Sequence, residues 1–454
     1  MAVKGIKKIT YLQLLALHAL FAFVVYFFGF AAKFLLIAIV LYFLVKILST
    51  NNRNDEVLIA AAYMTGIEVF ARMTGGAISY EFSKYSVTGF LVIGMFYRGF
   101  NRNSWPYVIY LVFLVPGILF SAINLNYDTS IVKALAGNLT GPICVGISAL
   151  YCYNRKISTE RLQHILLAVL FPVVTTTLYL YLYTPSVQDV VTGTQSNFAT
   201  SGGFGPNQVA TILGLGMFIL FARLLQYRNL LLNLVDVGIL GLMSYRAIVT
   251  FSRGGVLTAA LCAAAFLAIY YWYSRGSTRV VLVPKIGVIV VALLLAWGYS
   301  SISTRGLIDK RYANQDAAGR EKQDLTTGRI DLLNSELEAF YSNPFTGIGV
   351  GKIKEYRLET TGRESATHNE VSRILSEHGM FGLLALSILL FKPLMRRFRD
   401  RSNLFLYSFV IFWFLTINHS SMRLVAPAFI YGLALLTIIS EKKKNTIRRQ
   451  QLTG

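Results

Sequence analysis

Long apolar runs dominate this 454-residue sequence and leave few ways for the chain to fold. A helix that crosses a bilayer needs about 20 mostly apolar residues, and fourteen runs reach or approach that length. They cover residues 10–30, 32–49, 57–73, 85–99, 105–123, 131–152, 162–183, 207–222, 229–250, 254–273, 280–300, 371–391, 403–418 and 424–440. The runs predict an all-α, polytopic transmembrane helical bundle. Because several runs are short and two could be re-entrant, we expect about 12–14 spans.

The positive charge of the chain follows this predicted topology. A formal net charge of +21 would suggest a nucleic-acid partner if the protein were soluble. Here Lys and Arg cluster in alternate connections between the apolar runs, from MAVKGIKK at the start to EKKKNTIRR near the end. The positive-inside rule makes those connections and both termini cytoplasmic. We therefore expect membrane lipid around the protein and no nucleic-acid partner.

One long polar interruption divides the chain into three regions. Residues 1–300 are predicted to form the N-terminal part of the bundle, and residues 301–370 a large external loop. Residues 371–454 supply the last transmembrane helices and a basic cytoplasmic tail. The external loop contains ten Lys or Arg and eleven Asp or Glu, so its charge is balanced, whereas the cytoplasmic connections are strongly basic.

The external loop contains an amphipathic helix pattern. Ile330, Leu333, Leu337 and Phe340 recur at helical spacing and predict a helix over residues 327–342 that lies on the membrane or on the bundle. Arg329 then lies at the start of this helix. The following GIGVGK superficially resembles a phosphate-binding loop, but its glycine spacing is wrong and no Ser or Thr follows the lysine, which argues against that function.

His368 is the candidate catalytic base. The sequence Thr367-His368-Asn369-Glu370 predicts a capping box with Thr367 as N-cap and Glu370 at N3, which would put His368 in the first helical turn. The positive end of the helix dipole disfavours imidazolium there, and a neutral imidazole is suited to general-base catalysis. A lone histidine is more often structural, but this one is predicted to lie beside arginine-bearing turns.

Arginines near helix ends supply candidate anion sites. Arg246 is predicted near the outer end of the ninth run, and Ser252-Arg253-Gly254 makes a tight turn into the tenth. An outward guanidinium group is a donor fork for phosphate or carboxylate, although an arginine at a helix end can equally snorkel to the interface. Gly205-Pro206 predicts a helix start with Asn207 at its outer mouth, where an anion site or a plain loop-to-helix junction would both fit.

Other polar residues in or beside the apolar runs are secondary candidates. Glu68 and Arg72 are four residues apart on one predicted span, where a pair could lock two helices or serve function. Arg373 and Glu377 can pair in the same way. The full set of secondary site candidates is Asn207, Asn369, Arg373, Arg72, Lys84, His419 and Arg423. Acidic residues of the external loop alternate with basic ones, so we expect neither a metal site nor a cofactor.

Several of these motifs, taken in order, resemble a known family. SRGG at 252–255, TGR at 327–329, NPFTGIGVGK at 343–352 and HNEVSRILSEHGMFGLL at 368–384 are similar to the signature of the O-antigen ligase and O-antigen polymerase superfamily. The resemblance covers roughly residues 200–435. It implies a GT-C-type glycosyltransferase of the bacterial inner membrane that uses an undecaprenyl-diphosphate-linked glycan on the periplasmic face without a metal. The external loop and the active site would then be periplasmic.

The resemblance also implies roles for particular residues. Arg253 and Arg329 match family arginines thought to hold the donor diphosphate, and His368 matches the histidine thought to activate the acceptor hydroxyl. Arg246 is the third candidate for the diphosphate. Outward arginines can stabilise the negative charge that develops on a leaving diphosphate without a cation, so the expected reaction is a metal-independent, inverting transfer.

Alternatives remain open at this point. Within the superfamily, the chain could be a ligase with lipid A-core or a similar acceptor, a polymerase that extends a second lipid-linked repeat, or a protein O-oligosaccharyltransferase. A lipid-linked glycan transporter or flippase would also need outward arginines and many spans, but should bind near the midplane between inverted repeats. A structural or sensor membrane protein would explain the spans without the Arg and His residues.

Overall fold

A computed structural model describes residues 7–227, 229–274, 276–322, 328–362 and 364–439. The basic tail and Thr327, the first residue of the helix predicted over 327–342, lie outside these ranges. Its first half contains the elements α1 (Lys8–Phe27), α2 (Ala31–Thr50), α3 (Glu56–Met73), α4 (Phe82–Arg98), α5 (Trp105–Phe113), α6 (Val115–Asn124), α7 (Ile131–Cys152), β1 (Lys156–Ser158) and α8 (Thr159–Tyr183). The second half contains α9 (Pro206–Gln226), α10 (Leu230–Ile248), α11 (Arg253–Tyr273), α12 (Gly276–Ser303), α13 (Leu307–Tyr312), α14 (Arg329–Ser342), α15 (Ile353–Thr361), α16 (Glu370–Arg399), α17 (Leu406–Ser420), α18 (Ala426–Ala434) and β2 (Thr437–Ile439).

The predicted all-α membrane bundle is confirmed. Within the described ranges, ten helices are long and apolar enough to cross a bilayer: α1, α2, α5 with α6, α7, α8, α9, α10, α11, α12 and α16. The other apolar runs are helical too, but α3 and α4 carry charged residues, and α17 and α18 are short. At 1.5 Å per residue, the nine residues of α18 span less than half of a hydrocarbon core about 30 Å thick.

The helices alternate in direction, so their connections collect at two ends of the bundle. At the end that we call the strand end, β1 pairs in parallel with β2, and Arg98 forms an ion pair with Asp55 at 2.9 Å. The end that we call the loop end holds α13, α14 and α15 together with the starts of α9, α11 and α16. This alternation agrees with the topology expected from the distribution of Lys and Arg.

Close packing of α9 and α11 sets the geometry of the loop end. A Cβ atom added at Gly255 would lie 2.1 Å from the carbonyl oxygen of Ala210, and one added at Gly214 would lie 2.4 Å from the carbonyl oxygen of Gly255. The two helix backbones are therefore in direct contact. Because Ala210 and Gly255 both lie in the first turns of their helices, the N-termini of α9 and α11 are neighbours.

The longest helix, α16, is broken inside the bundle. Gly379 has φ 57° and ψ −135°, so the helical hydrogen-bond pattern is interrupted there. Backbone groups freed in an apolar environment must find other partners. Residues 343–351, which we call the glycine loop, supply them: the Ile348 N–H donates to the Ser376 carbonyl at 2.9 Å, and the Met380 N–H donates to the Pro344 carbonyl at 2.7 Å.

The opposite side of the glycine loop binds to α6. The Val350 N–H donates to the Gly117 carbonyl at 3.1 Å, the Ser121 hydroxyl donates to the Val350 carbonyl at 3.0 Å, and the Asn124 amide donates to the Ile348 carbonyl at 3.0 Å. The N–H groups of Ile348, Val350 and Gly351, which a phosphate-binding loop would offer to its ligand, all donate to oxygens within the protein. The glycine loop therefore joins two transmembrane helices.

We expect Gly379→Ala to destabilise the protein markedly. The substitution forces an L residue into a left-handed φ and places a Cβ atom 2.6 Å from the backbone nitrogen of Gly347. Strain of this kind costs about 1–3 kcal/mol before the overlap is counted. Thermal unfolding in detergent would measure the effect. Gly298→Ala on α12 is the matched control, because a Cβ atom there meets no other atom within 4 Å; an equal loss in both variants would contradict the interpretation.

Candidate functional site

Two neighbouring helix N-termini form the floor of the candidate site. As predicted, Pro206 is the first residue of α9 after Gly205, and Ser252 precedes Arg253 at the start of α11. No side chain of the described residues caps either helix; the Ser252 hydroxyl instead donates to the Asn207 side-chain oxygen at 2.7 Å. Uncapped N–H groups and the helix dipoles make this a region of positive potential.

Four half-buried arginines lie above these helix ends. We call Arg253, Arg311, Arg329 and Arg423 the arginine cluster. Burial lowers the pKa of Arg329, and the positive charges of Arg423 and Arg253 lower it further. The pKa of Arg311 is lowered by burial and by Arg253 and Arg329. Among the described residues, the charged groups that act on Arg329 are cations, so the cluster has the electrostatics of an anion site.

Neighbouring loops hold the guanidinium groups in place. Arg253 donates to the Asn314 side-chain oxygen, and Arg311 donates to the Phe251 carbonyl at 3.2 Å. Arg423 donates to the Thr367 carbonyl at 2.9 Å, which ties the turn after α17 to the segment before α16. These three arginines are thus oriented by contacts with neutral oxygens, which leave their charge unneutralised.

His368 lies beside the cluster, but the predicted capping box is wrong. Asn369 caps α16: its side-chain oxygen accepts from the N–H groups of Val371 at 2.8 Å and Ser372 at 3.3 Å. Glu370 is therefore the first helical residue instead of N3, and His368 precedes the cap instead of lying in the first turn. Thr367 does not cap the helix because its hydroxyl donates to Glu336.

The imidazole of His368 is held neutral by its surroundings. Burial lowers its pKa to about 4, and the positive charges of Arg423, Arg329 and Arg357 contribute to this shift. The predicted neutral state is therefore reached through burial and neighbouring arginines. Its Nδ1 atom is buried and has no hydrogen-bond partner in the described part of the chain.

A buried polar network positions the segment that carries His368. Glu336 on α14, which is 1% exposed, accepts hydrogen bonds from Arg357 on α15, from the Thr367 hydroxyl and from the Ser372 hydroxyl on α16. The Ser421 N–H adds a bond to the His368 carbonyl at 3.1 Å. These bonds join α14, α15, the start of α16 and the turn after α17 to Thr367 and to the His368 backbone, so the position of the imidazole is well determined.

Glu336→Ala should therefore lower both stability and turnover. Removing one partner of a buried ion pair leaves the other charge uncompensated and typically costs about 3–5 kcal/mol. Unfolding midpoints and kcat of the purified variant would measure the two effects. Glu338→Ala, on the exposed face of the same helix, is the control. Equal losses in the two variants would show that the network has no special role.

The candidates Arg72 and Arg373 lie in buried ion pairs near the site. Arg72 pairs with Glu68 at 2.6 Å and donates to the Arg423 carbonyl at 2.9 Å, so it supports a member of the arginine cluster. Arg373 pairs with Glu377 at 2.5 Å and also with Glu370. Each pair lies within one helix, as its sequence spacing suggested. The paired residues reach other elements through the Val425 N–H, which donates to Glu68 at 2.7 Å, and through Arg373, which donates to the Asn138 carbonyl at 3.0 Å.

The remaining sequence candidates are distributed around the site. His419 packs under the start of α11, because a Cβ atom at Gly254 would lie 2.5 Å from the His419 ring, and its Nε2 atom lies 3.2 Å from the Thr211 hydroxyl. Lys84 pairs with Glu81 at 2.6 Å. Arg246 is fully buried, lies 4.1 Å from the Tyr181 ring centroid and donates to the Thr184 carbonyl. Arg246 therefore packs against its tyrosine neighbours and does not belong to the arginine cluster.

Comparison with known proteins bears on the segment that builds this site. Residues 238–387 match the protein family described as O-Antigen ligase. The matched segment, 150 of the 454 residues, is similar to the O-antigen ligase family and supports the resemblance to the O-antigen ligase and polymerase superfamily. Arg253, Arg311, Arg329 and His368 all lie inside the O-antigen ligase segment, whereas Arg423 lies beyond it. No curated protein and no solved structure matches the chain.

Two parts of the candidate site were not predicted from the sequence. Arg311 lies on α13, a short helix that the external loop was not expected to contain; the apolar pair Ile308 and Tyr312, four residues apart, was the available signal. The pairing of Glu336 with Arg357 left no such signal. The two residues lie on separate helices, α14 and α15. The buried face of α14 is largely polar, whereas the sequence pattern predicted that an apolar stripe would make the contacts of this helix.

The candidate site combines an anion-binding region with a proton acceptor. The arginine cluster can bind two or more negative charges, and His368 can accept a proton at neutral pH. No group of three His, Cys, Asp or Glu side chains that could hold a metal ion occurs in the described ranges. Two cavities, with volumes of about 360 and 590 Å³, lie at the strand end, away from this site.

Proposed function

We propose that this multi-pass membrane protein of the O-antigen ligase and polymerase type transfers a glycan from undecaprenyl diphosphate to an acceptor hydroxyl on the periplasmic face. The observation that carries the proposal is the arginine cluster beside a neutral His368. Unbalanced, half-buried cations suit a diphosphate, and a neutral imidazole beside them suits the attacking hydroxyl. The family match supports the same class of reaction.

The chemistry assigns one task to each part of the site. Arg253, Arg329 and their cluster neighbours bind the diphosphate and take up the charge that grows as the bond between the sugar C1 and the phosphate oxygen breaks. The acceptor oxygen forms the new bond to C1 from the opposite side, and its proton passes to His368. A single displacement of this kind inverts the configuration at C1.

The proposed orientation places the loop end in the periplasm and both termini in the cytoplasm. Arg98, Arg155, Arg396 and Arg399 all lie at the strand end, and the positive-inside rule assigns such a basic end to the cytoplasmic face of the inner membrane. The acceptor is proposed to be lipid A-core or a similar hydroxyl-bearing molecule. A polymerase reaction on a second lipid-linked repeat, or transfer to a protein hydroxyl, is the alternative within the same superfamily.

Transfer assays with purified protein test the proposal. A radiolabelled undecaprenyl-diphosphate glycan is offered in detergent with lipid A-core, with a second lipid-linked repeat, or with a serine-containing protein. Product on one acceptor, lost in Arg253→Ala, supports the enzyme and identifies its branch. Donor binding without product on any acceptor, together with movement of the donor across vesicle membranes, would replace the enzyme with a transporter.

The same assay gives a prediction about divalent ions. Because guanidinium groups can neutralise the leaving diphosphate, we expect the rate with EDTA to equal the rate with added Mg²⁺ within about twofold. Each reaction should be measured after extensive dialysis against chelator. Loss of activity in EDTA that a divalent ion restores would contradict the prediction.

A further inference from the structure

A cavity of about 360 Å³ opens at the strand end, far from the arginine cluster. It lies between the end of α16, the start of α5 and the turn that precedes β1. Its lining includes three cations, two amides and one tryptophan: Lys392, Arg396, Arg399, Asn103, Asn154 and Trp105. The function proposed above makes no use of this cavity.

The charge of the cavity favours an anion. Asp400 is the acidic residue in its lining, against three cations. Arg396 is 4% exposed and is fixed by hydrogen bonds to Asn154 at 2.6 Å, to Asp400 at 2.8 Å and to Thr437 at 2.7 Å. These bonds hold the Arg396 guanidinium group in one orientation. The more accessible Lys392 and Arg399 supply the excess positive charge.

Apolar surface continues from the cavity along the side of the bundle. On α16, Phe391 is 55% exposed, Met395 59% and Phe398 82%, and these residues stand next to the cavity's lysine and arginines. Trp105 is 59% exposed at the start of α5, where an indole ring suits the boundary between headgroups and acyl chains. A ligand that fits both surfaces has an anionic head and apolar chains.

We propose that this cavity binds the headgroup phosphate of an anionic membrane phospholipid, with its acyl chains along the exposed apolar face of α16. Lys392 and Arg399 attract the phosphate, Arg396 and the two amides orient it, and Trp105 lies at the level of the glycerol backbone. Basic pockets at the ends of transmembrane helices are suited to lipid headgroups in this way.

Binding of phosphatidylglycerol by the full-length protein tests the proposal. Native mass spectrometry in detergent would follow the retained lipid during titration with phosphatidylglycerol and, separately, with zwitterionic phosphatidylcholine. Each cation near a headgroup contributes roughly fivefold to sixfold in affinity, so Lys392→Gln with Arg399→Gln should weaken phosphatidylglycerol binding roughly 30-fold. Both side chains are accessible, so the double variant should fold. Arg401→Gln is the control, an exposed cation two residues away that does not line the cavity.

Each outcome decides the proposal. Loss in the double variant, with Arg401→Gln unchanged and phosphatidylcholine bound much more weakly, supports it. Equal binding of the two lipids, an unchanged double variant, or an equal loss in Arg401→Gln would overturn it. Glycerol phosphate that binds as tightly as the intact lipid would also overturn it, because the apolar surface would then contribute nothing. Glycan transfer is not part of the readout, so failure of the proposed function would not affect the result.

Discussion

Replacing His368 with alanine is expected to lower kcat by about 100- to 10,000-fold, with donor affinity nearly unchanged. The contact that fixes this position, from the Ser421 N–H to the His368 carbonyl, involves backbone atoms only and is kept in the variant. The loss should therefore reflect the missing proton acceptor. Single-turnover rates and donor Kd, measured separately, would distinguish the two effects. His164→Ala, a half-buried histidine at the strand end, is the control.

The pH dependence of the parent protein provides an independent readout. Activity requires neutral imidazole, so it is lost as pH falls through the pKa of His368, and the acid limb of kcat/KM should lie near pH 4. A bound diphosphate offsets the charges of Arg423 and Arg329, so the limb of kcat should lie at higher pH. Stability also declines from about pH 6.5 to pH 4, because the unfolded chain binds the proton more readily. Limbs at pH 6.5 in both profiles would argue against the site.

Alanine substitutions in the arginine cluster are expected to lower kcat/KM by about 100- to 1,000-fold each. Arg253 and Arg329 should show this effect, and so should Arg311, which only the folded structure brings to the site. Lysine should restore part of the loss, because it keeps the charge but not the two-pronged donor geometry. Removing the diphosphate removes the negative charge that the arginines bind, so binding of undecaprenol without diphosphate should be insensitive to these substitutions.

Two further arginines make the test specific. Arg320 belongs to the same loop, but its side chain is 81% exposed and pairs with Asp316, so Arg320→Ala should leave kcat/KM within about twofold. Arg246→Ala should lower the unfolding midpoint instead, because the guanidinium group is buried against Tyr181. Equal losses of activity in Arg320→Ala and Arg329→Ala would contradict a specific role for the arginine cluster. They would indicate that only the overall charge of the loop matters.

Local sequence signals predicted the elements of this molecule well. Apolar run length identified the transmembrane helices, and Gly205-Pro206 marked the start of α9 because proline acts through its own backbone. The same locality explains the error at Thr367. Its hydroxyl could cap a helix, but Glu336, distant in sequence and buried beside it, offers a stronger acceptor.

The assembly of the site depended on contacts that sequence does not contain. Arg311 and Arg329 are both plausible surface residues among ten basic side chains of the loop. Their proximity follows from how α13 and α14 pack, which no periodicity specifies. Arg246, by contrast, has a suitable place in the sequence, but the tertiary structure surrounds it with tyrosine rings.

The broken helix has a consequence for how the protein is made. Backbone groups around Gly379 find partners in the glycine loop, which in turn bonds to Ser121 on α6, 229 residues before Val350. During synthesis α6 enters the bilayer long before its partner loop exists, and α16 cannot complete its hydrogen bonds until that loop has returned to it. Formation of the site therefore requires a long-range docking step, and truncated chains that stop before residue 343 would insert their helices without ever forming the site.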